Sequence, residues 1–232
     1  VSGGKDSLLL MEAMKLYQRF SYTNFEVCAV MLDLGLKPVD TSRVEAFAER
    51  IGMDFTVIHT DIGKVVFEYR DERSPCALCA KLRRGALNNA AVERGCNKVA
   101  LGHNREDVLE TLFLSLLYEG RICTFAPVTY LGRKDVTIIR PLIFLPEKYA
   151  LSVARQRELP VLPPHCDIAG TTKREEAKQL IQHICTLVPD AEEKMMHAIA
   201  STETYRLWDR MRLKPQKQPI AESIGRADES LQ

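Results

Sequence analysis

The sequence predicts an α/β fold whose mostly parallel sheet is flanked by helices. Two observations support this prediction. Apolar, β-rich segments alternate with segments of helical periodicity, and a glycine-rich turn at residues 2–7 leads directly into a helix. Ligands of such sheets bind at the carboxyl ends of the strands, near the point where the strand order reverses. We therefore expect the functional site at that edge of the sheet.

Periodicity and terminal signals define the elements of the first half of the chain. Apolar β-rich runs predict buried strands, helical spacing predicts helices, and a glycine after the last periodic residue predicts a helix end, as at Gly52 and Gly95. Val1 alone represents the strand that should precede the glycine-rich turn, so the first strand is predicted to be truncated. In order, the predicted elements are helix 8–20, strand 25–32, helix 41–51, strand 53–59, helix 62–69 and helix 77–93.

The same signals continue in the second half of the chain. Gly102 and Gly120 end a strand and a long helix, and Pro189 interrupts the helical pattern that begins at residue 171. We predict one domain over 1–201, followed at 202–232 by a C-terminal helix end and polar tail. The other predicted elements are strand 98–101, helix 105–117, hairpin 122–139 with its turn at 131–135, helix 146–157 and strand 159–162.

Composition excludes several classes of protein. The 232 residues include 32 Lys and Arg against 31 Asp and Glu, a formal net charge of +1, with 46% hydrophobic residues, as is usual for a soluble domain. No apolar run of about 18 residues occurs, so we expect no membrane span. Binding of nucleic acid would need a local basic patch. Seven dispersed cysteines indicate a reducing compartment and thiols available for metal or redox chemistry.

The glycine-rich turn has the sequence SGGKDS. Its glycines allow the backbone N–H groups to point at one spot, and the following helix start adds partial positive charge, so the turn suits an oxyanion. Its spacing differs from the Walker-type loop. A bare Gly-Gly-Lys would more often be a tight, capped strand-to-helix turn.

A second polar group follows strand 98–101. His103 lies at the strand end, and Asp107 and Glu110 share one face of the next helix, so the three side chains are expected to converge. Carboxylates beside a phosphate site indicate Mg²⁺, whereas a solvated, acidic helix start is the alternative. Asp33 ends strand 25–32, where a carboxylate either contacts a ribose or adenine or forms a turn.

Three cysteines are candidate ligands. Cys76 and Cys79 form Cys-x-x-Cys, which alone is compatible with a redox dithiol, half of a zinc site or an iron–sulfur site. A four-thiolate zinc site needs a second such motif, and the sequence has none. Cys166 lies in an irregular segment that precedes the basic pair at 173–174. No site is predicted for the remaining cysteines, Cys28, Cys96, Cys123 and Cys185.

Taken in order, these motifs resemble the tRNA 2-thiocytidine synthetase (tRNA cytidine 2-sulfurtransferase) family of the PP-loop ATP-pyrophosphatases. The motifs are SGGKDS, CALC before LRRG, LGHNRED, and Cys166 before TKR, and the similarity spans about 2–199. The resemblance implies a Rossmann-like, adenine nucleotide alpha-hydrolase-like fold. Two departures occur: Glu106 replaces an aspartate, and 167–169 lack a further cysteine that many members have, which leaves Cys166 as the third ligand and His165 as a remote alternative.

The resemblance implies ATP-dependent tRNA thiolation. The C2 oxygen of an anticodon-loop cytidine would be adenylated, and sulfur from a [4Fe–4S] cluster, or from a cysteine persulfide in a competing account, would displace AMP. Lys5, Asp6, Cys76 and Cys79 would be catalytic. The other implied roles are ATP binding by Ser2, Gly3, Gly4, Lys5, Asp6, Ser7, Asp33, Gly102 and His103, Mg²⁺ binding by Asp6 and Asp107, and cluster binding by Cys76, Cys79 and Cys166.

The implied partners are tRNA and a cysteine desulfurase or another sulfur donor, in the cytoplasm and away from membranes; a homodimer is left open. Basic residues beside the cysteines suit RNA phosphates, although a solvated helix face is the simpler explanation for any one of them. Two rival functions remain: another PP-loop tRNA-modifying enzyme, or a non-catalytic nucleotide- or cluster-binding sensor. The basic residues are Lys81, Arg83, Arg84, Arg140, Lys173 and Arg174.

Overall fold

The computed structural model describes residues 1–67, 75–163, 166 and 173–201. The chain divides into two units, Val1–Met196 and His197–Gln232. The fold described below is that of the first unit; within the second, the described residues are helical as far as Ala200. The predicted boundary after residue 201 stays a prediction.

Helices and strands alternate along most of the described chain, as predicted. The left-handed φ of Gly52 (70°) and Gly120 (62°) ends two helices at the predicted positions. The elements are α1 (Lys5–Phe20), β1 (Cys28–Asp33), α2 (Ser42–Ile51), β2 (Asp54–His59), α3 (Ile62–Phe67), α4 (Pro75–Glu93), β3 (Lys98–Ala100), α5 (Arg105–Glu119), β4 (Val128–Leu131), β5 (Val136–Ile139), α6 (Glu147–Gln156), α7 (Lys173–Leu187) and α8 (Ala191–Ala200).

The strands of the described residues form two sheets. β1 pairs in parallel with β2, so that Asp33 lies opposite His59 at the carboxyl end. In the second sheet, of order β3-β5-β4, β5 is parallel to β3 and antiparallel to β4. Helix α4 packs against β1 and also against β3 and β5. The predicted α/β class with parallel pairing is confirmed.

Several boundaries differ from the prediction, including the starts of α1 at Lys5 instead of residue 8 and of β1 at Cys28 instead of residue 25. Residues 159–162 are not a strand, because Pro160 and the following Pro163 lack the N–H groups that a β-ladder requires. Leu162 N instead donates one hydrogen bond to Gly3 O (2.9 Å). Helix α4 begins at Pro75, two residues earlier than predicted, because proline is well suited to a first helical position. The hairpin strands are shorter than 122–139. The end of the predicted helix 62–69 lies outside the described residues.

A buried core fixes α1, and with it the glycine-rich turn, to the rest of the domain. Leu8 of α1 is fully buried among side chains of β1, α2 and α6, and the Val1 amine donates to Val30 O of β1 (2.5 Å). No helix in the described part of the chain has the length and apolar character needed to cross a membrane. The buried core residues are Leu8, Leu9, Met11, Ala29, Val44, Phe47, Ala48, Met53, Ala150, Ala154 and Leu159.

Candidate functional site

The glycine-rich turn is closed by its own hydroxyl groups. Ser7 Oγ accepts from Ser2 N (3.1 Å) and donates to Gly4 O (2.9 Å), while Gly3 adopts a φ of 79°. A Cβ at Gly3 would lie 2.9 Å from Leu162 Cδ1, so a side chain is excluded there. Helix α1 starts at Gly4 without a side-chain cap. The turn therefore presents an uncapped helix start, which suits a phosphate group.

The two predicted nucleotide motifs meet at Gly102. A Cβ on this residue would lie 3.0 Å from Asp6 O and 3.2 Å from Ser7 N, so the chain after β3 runs directly against the turn. The next residue, His103, stacks on Phe125 with ring centroids 4.7 Å apart. Burial lowers the pKa of His103, which favours a neutral ring beside the turn.

Two basic residues, Arg140 directly after β5 and Arg84 on α4, act on His103. Arg140 Nε donates to His103 Nδ1 (3.3 Å), and the Arg140 guanidinium lies 4.8 Å from the Phe125 centroid. Burial lowers the pKa of Arg140, and the charge of Arg84 on α4 lowers it further. Arg84 acts on the pKa of His103 in the same direction. The helix that carries Cys76 and Cys79 thus brings a positive charge to the nucleotide motif.

An acidic pocket of about 250 Å³ lies beside the turn. Asn104 joins the two carboxylates predicted to bind Mg²⁺: its Nδ2 donates to Asp6 Oδ1 (3.3 Å), and its N–H donates to Asp107 Oδ2 (2.9 Å). Asn104 also caps α5 by accepting from Asp107 N. Asn104 was not among the site residues predicted from the sequence, although Asn three residues before Asp is a helix-capping signal. The pocket is lined by Asp6, Asn104, Glu106, Asp107, Glu110, Glu147, Arg174, Glu175 and Lys178.

Arg174 of α7 extends into this pocket. Its Nη1 donates to Asp107 Oδ1 (2.8 Å) and to Glu110 Oε2 (3.1 Å), and its Nη2 donates to Thr111 Oγ1 (3.4 Å). The predicted convergence of Asp107 and Glu110 is therefore observed, with an arginine between them. Burial raises the pKa of Glu110 to about 7, although Arg174 opposes this shift.

The donor set bears on the predicted Mg²⁺. Within the described ranges, no three His, Cys, Asp or Glu side chains lie close enough together to form a complete metal site. Asp6 and Asp107 are nevertheless linked through Asn104 at the rim of a phosphate-binding turn. Mg²⁺ is commonly held by one or two carboxylates together with substrate phosphates and water. The pair therefore fits Mg²⁺ that arrives with a nucleotide.

Lys5 of the turn is held by two carboxylates. Its Nζ lies 2.8 Å from Asp6 Oδ2 and 2.8 Å from Glu147 Oε1, and Glu147 Oε2 accepts from Lys178 Nζ (2.9 Å). Burial raises the pKa of Glu147, but the hydrogen bonds from the two lysines outweigh it and the net pKa is lowered. Glu147 N donates to Glu106 Oε2 (2.8 Å), so Glu106 is engaged with the start of α6.

Replacing Glu147 by Ala is expected to destabilise the protein by about 1–3 kcal/mol, because two partly buried lysines lose their shared partner. Urea denaturation measures this loss. The matched control is Glu176→Ala, which removes an exposed carboxylate from Lys173 and should change stability far less. Equal losses for the two variants would contradict the structural role of Glu147.

The raised pKa of Glu110 predicts a pH dependence of stability. Between its ordinary value of 4.5 and about 7, the folded state retains a proton that the unfolded state has lost, so stability falls as pH rises. The free energy of unfolding of Glu110→Gln minus that of the parent should therefore be about 1–3 kcal/mol larger at pH 8 than at pH 4. Urea denaturation at both pH values measures the gain. The control is Glu193→Gln on the exposed surface of α8. If the stability difference between Glu110→Gln and the parent were the same at both pH values, this expectation would be refuted.

Cys79 interacts electrostatically with both of the other predicted cluster ligands, Cys76 and Cys166. Cys76 is exposed, and Cys79 and Cys166 are half-buried. Burial raises the pKa of Cys79, Arg83 opposes this, and the charges of Cys166 and Cys76 add to it. The thiols do not form a single-ion site, but a [4Fe–4S] cluster binds each thiolate through a separate iron. Three neighbouring thiols fit that group. His165 and 167–169 lie outside the described residues.

Asp33 ends β1 as predicted. Its Oδ1 accepts from Gly35 N (3.0 Å), and its Oδ2 lies 2.9 Å from His59 Nδ1. These contacts are those of a turn-forming aspartate, the alternative that the sequence left open. Its nucleotide contact stays a prediction.

The fold and this site define an α/β protein with a phosphate-binding turn, and comparisons with known proteins specify its family. The model of the PP-loop domain matches residues 1–161. A tRNA-cytidine(32) 2-sulfurtransferase of Anaeromyxobacter sp. (strain K) is 33% identical, covering 90% of this chain and 73% of that protein. One from Marinobacter nauticus is 34% identical, covering 90% and 70%. The chain belongs to the tRNA-cytidine(32) 2-sulfurtransferase family of PP-loop enzymes, as predicted.

A solved structure has the same fold. The U34-tRNA thiolase NcsA from Methanococcus maripaludis with its [4Fe-4S] cluster is similar with a TM-score of 0.70 and 24% identity. The similarity covers 89% of this chain and 72% of the thiolase. It supports the α/β fold independently of the sequence motifs.

Proposed function

We propose that this protein is an ATP-dependent tRNA sulfurtransferase that replaces the C2 oxygen of an anticodon-loop cytidine by sulfur. One observation carries the proposal: α4 bears both Cys79 and Arg84, and the Arg84 charge acts on His103 of the nucleotide motif. This arrangement supports a single site in which the thiols and the phosphate-binding turn act together. The curated relatives, which are named for this reaction on cytidine 32, also support it.

The turn and its neighbours would bind and activate ATP. The uncapped start of α1 receives the phosphates, Lys5 neutralises their charge, and Asp6 and Asp107 would hold Mg²⁺, which supplies further charge neutralisation. The C2 oxygen attacks the α-phosphorus and pyrophosphate leaves. The product is an adenylated cytidine whose C2–O bond is ready to break.

Sulfur transfer would then follow at the same carbon. Attack by sulfide on C2 forms the C–S bond, and AMP leaves with the original oxygen. Cys76, Cys79 and Cys166 would hold a [4Fe–4S] cluster, which supplies an iron without a protein ligand as the place for that sulfide. A cysteine desulfurase or another donor would provide the sulfur. A reducing cytoplasm suits these free thiols, and a homodimer is compatible with this scheme.

Arginines around His103 are the proposed contacts to tRNA. Arg140 lies over the Phe125 ring, and the charge of Arg84 acts on Arg140. A splayed base can stack on such a ring while phosphates pair with arginine. The +1 net charge is compatible with RNA binding because local basic residues such as Arg84 and Arg140 can contact phosphates.

Mass analysis of tRNA nucleosides tests the proposal. The full chain is reconstituted anaerobically with iron and sulfide, then incubated with unmodified tRNA, ATP, Mg²⁺ and a sulfide donor. We expect 2-thiocytidine, and none when ATP is omitted. A thiolated uridine would indicate a different thiolation. Binding of ATP and cluster without any thiolated nucleoside would indicate a sensor, and both outcomes would overturn the proposal.

A further inference from the structure

Two cysteines outside the candidate site lie next to each other. Cys28 is the first residue of β1, and Cys96 follows Gly95, the left-handed glycine after α4. Their Sγ atoms are 3.9 Å apart, although 68 positions separate them in the chain. A disulfide has an S–S distance of about 2.05 Å, so side-chain rotation and a small shift would bring the sulfurs into bonding distance. No site was predicted from the sequence for either cysteine.

The surrounding backbone holds this cysteine pair, Cys28 and Cys96, in place. Cys28 lies opposite Asp54 in the β1–β2 ladder, and Asp54 pairs with Arg94 (3.7 Å). Cys96 N donates to Ala91 O (2.8 Å), which fixes the residue to the end of α4. Both thiols are free and half-buried. The proximity is therefore set by a strand and a helix end, not by loose surface chains.

We propose that the cysteine pair is a site of reversible oxidation that closes to a Cys28–Cys96 disulfide. With hydrogen peroxide as oxidant, the Cys96 sulfur attacks one peroxide oxygen, the O–O bond breaks, and a sulfenic acid forms as water leaves. The Cys28 sulfur then attacks the Cys96 sulfur, the S–O bond breaks, and a second water leaves. In total, the two thiols lose two hydrogen atoms and one peroxide is reduced to two waters. A small dithiol reverses the change by disulfide exchange.

The order of the two steps follows from the environment. Burial raises the pKa of Cys28, and the neighbouring Cys96 raises it further, which disfavours the Cys28 thiolate as the first nucleophile. We therefore assign Cys96 as the thiol that is oxidised first and Cys28 as the thiol that resolves the sulfenic acid. Since Cys76 and Cys79 lie in the first turns of α4 and Cys96 lies beyond its last turn, the disulfide leaves the proposed cluster ligands unpaired.

The disulfide should stabilise the domain. It covalently joins β1 to the end of α4 and closes a long loop, which restricts the unfolded chain. For a domain of this size we expect the oxidised form to have a Tm on the order of 5–10 °C higher than the reduced form. This change is independent of catalysis, so it does not depend on the proposed function.

Peptide mapping of the oxidised full chain tests the proposal. The protein is treated with a slight excess of hydrogen peroxide, blocked with N-ethylmaleimide and digested without reductant. We expect a linked peptide containing Cys28 and Cys96, a higher Tm, and reversal of both by dithiothreitol. Cys28→Ser and Cys96→Ser should each abolish the link and the rise in Tm.

The matched control is Cys123→Ser. Cys123 is more exposed than either member of the pair, so this variant should retain the link and the rise in Tm. Disulfides confined to Cys76, Cys79 and Cys166, or sulfinic acid at Cys96 without a link to Cys28, would overturn the proposal. An oxidation-dependent rise in Tm that persists in Cys96→Ser would do the same.

Discussion

Replacement of Asp6 by Asn should reduce ATP-dependent tRNA thiolation by about 10²–10⁴-fold. The Asp6 carboxylate holds Lys5 Nζ at 2.8 Å and accepts from Asn104 at 3.3 Å. It is also one of two carboxylates proposed to hold Mg²⁺. Asn keeps the size of the side chain but not its charge, so the loss should arise in nucleotide activation and not in folding.

Two readouts locate the defect. Exchange of labelled pyrophosphate into ATP in the presence of tRNA should fall in parallel with thiolation, because both need the activated nucleotide. Circular dichroism and the visible absorption of a reconstituted cluster should not change.

Asp61→Asn is the matched control for this experiment. It makes the same substitution at an exposed residue that pairs only weakly with Lys64, so exchange and thiolation should stay at the parent level. Full activity of Asp6→Asn would exclude the proposed ATP site. A loss of thiolation with intact pyrophosphate exchange would indicate that Asp6 acts in sulfur transfer and not in nucleotide activation.

Local signals predicted those parts of the fold that local physics determines. Gly52 and Gly120 end helices because a left-handed residue is needed there, and the glycine-rich turn was recognisable from its own residues, SGGKDS, which lead directly into α1. Predicted strand 159–162 failed because the apolar pattern was weighed above two prolines without N–H donors. Both results come from residues adjacent in the chain.

Long-range contacts were beyond the reach of such patterns. Arg174 between Asp107 and Glu110, and Cys96 beside Cys28, join residues more than sixty positions apart. Neither pairing has a periodicity or a capping signal, since the first depends on how α5 packs against α7 and the second on how α4 packs against β1. The division of the described strands into two sheets has the same cause. The sequence indicated which residues carry groups suited to catalysis or ligand binding. The packing of helices and strands determines which of these residues lie close together.

The second large effect is expected for the cysteines. Cys79→Ser should lower the bound iron from about four atoms per chain to near zero after anaerobic reconstitution, and tRNA thiolation should fall at least about 100-fold. Cys79 is half-buried, and the charges of Cys166 and Cys76 both act on its pKa. A serine hydroxyl is a harder and poorer ligand for iron than a thiolate, so the loss of this one ligand should release the cluster.

Iron and acid-labile sulfide analysis, together with visible absorption, measure the loss of the cluster. Pyrophosphate exchange should persist, because Cys79 is not part of the turn that binds ATP. This pattern is the reverse of that expected for Asp6→Asn, so the two variants separate activation from sulfur transfer.

Cys123→Ser is the control, since Cys123 is exposed and contacts only the carbonyl of Thr124 among the bonds described for its sulfur. It should retain both iron and thiolation. An iron-free parent that thiolates tRNA at full rate would exclude the cluster. If Cys79→Ser were then inactive, a persulfide on Cys79 would become the sulfur carrier. Retained thiolation in Cys79→Ser would show that Cys79 has no role in the reaction, because serine cannot supply the thiolate that either proposed role requires.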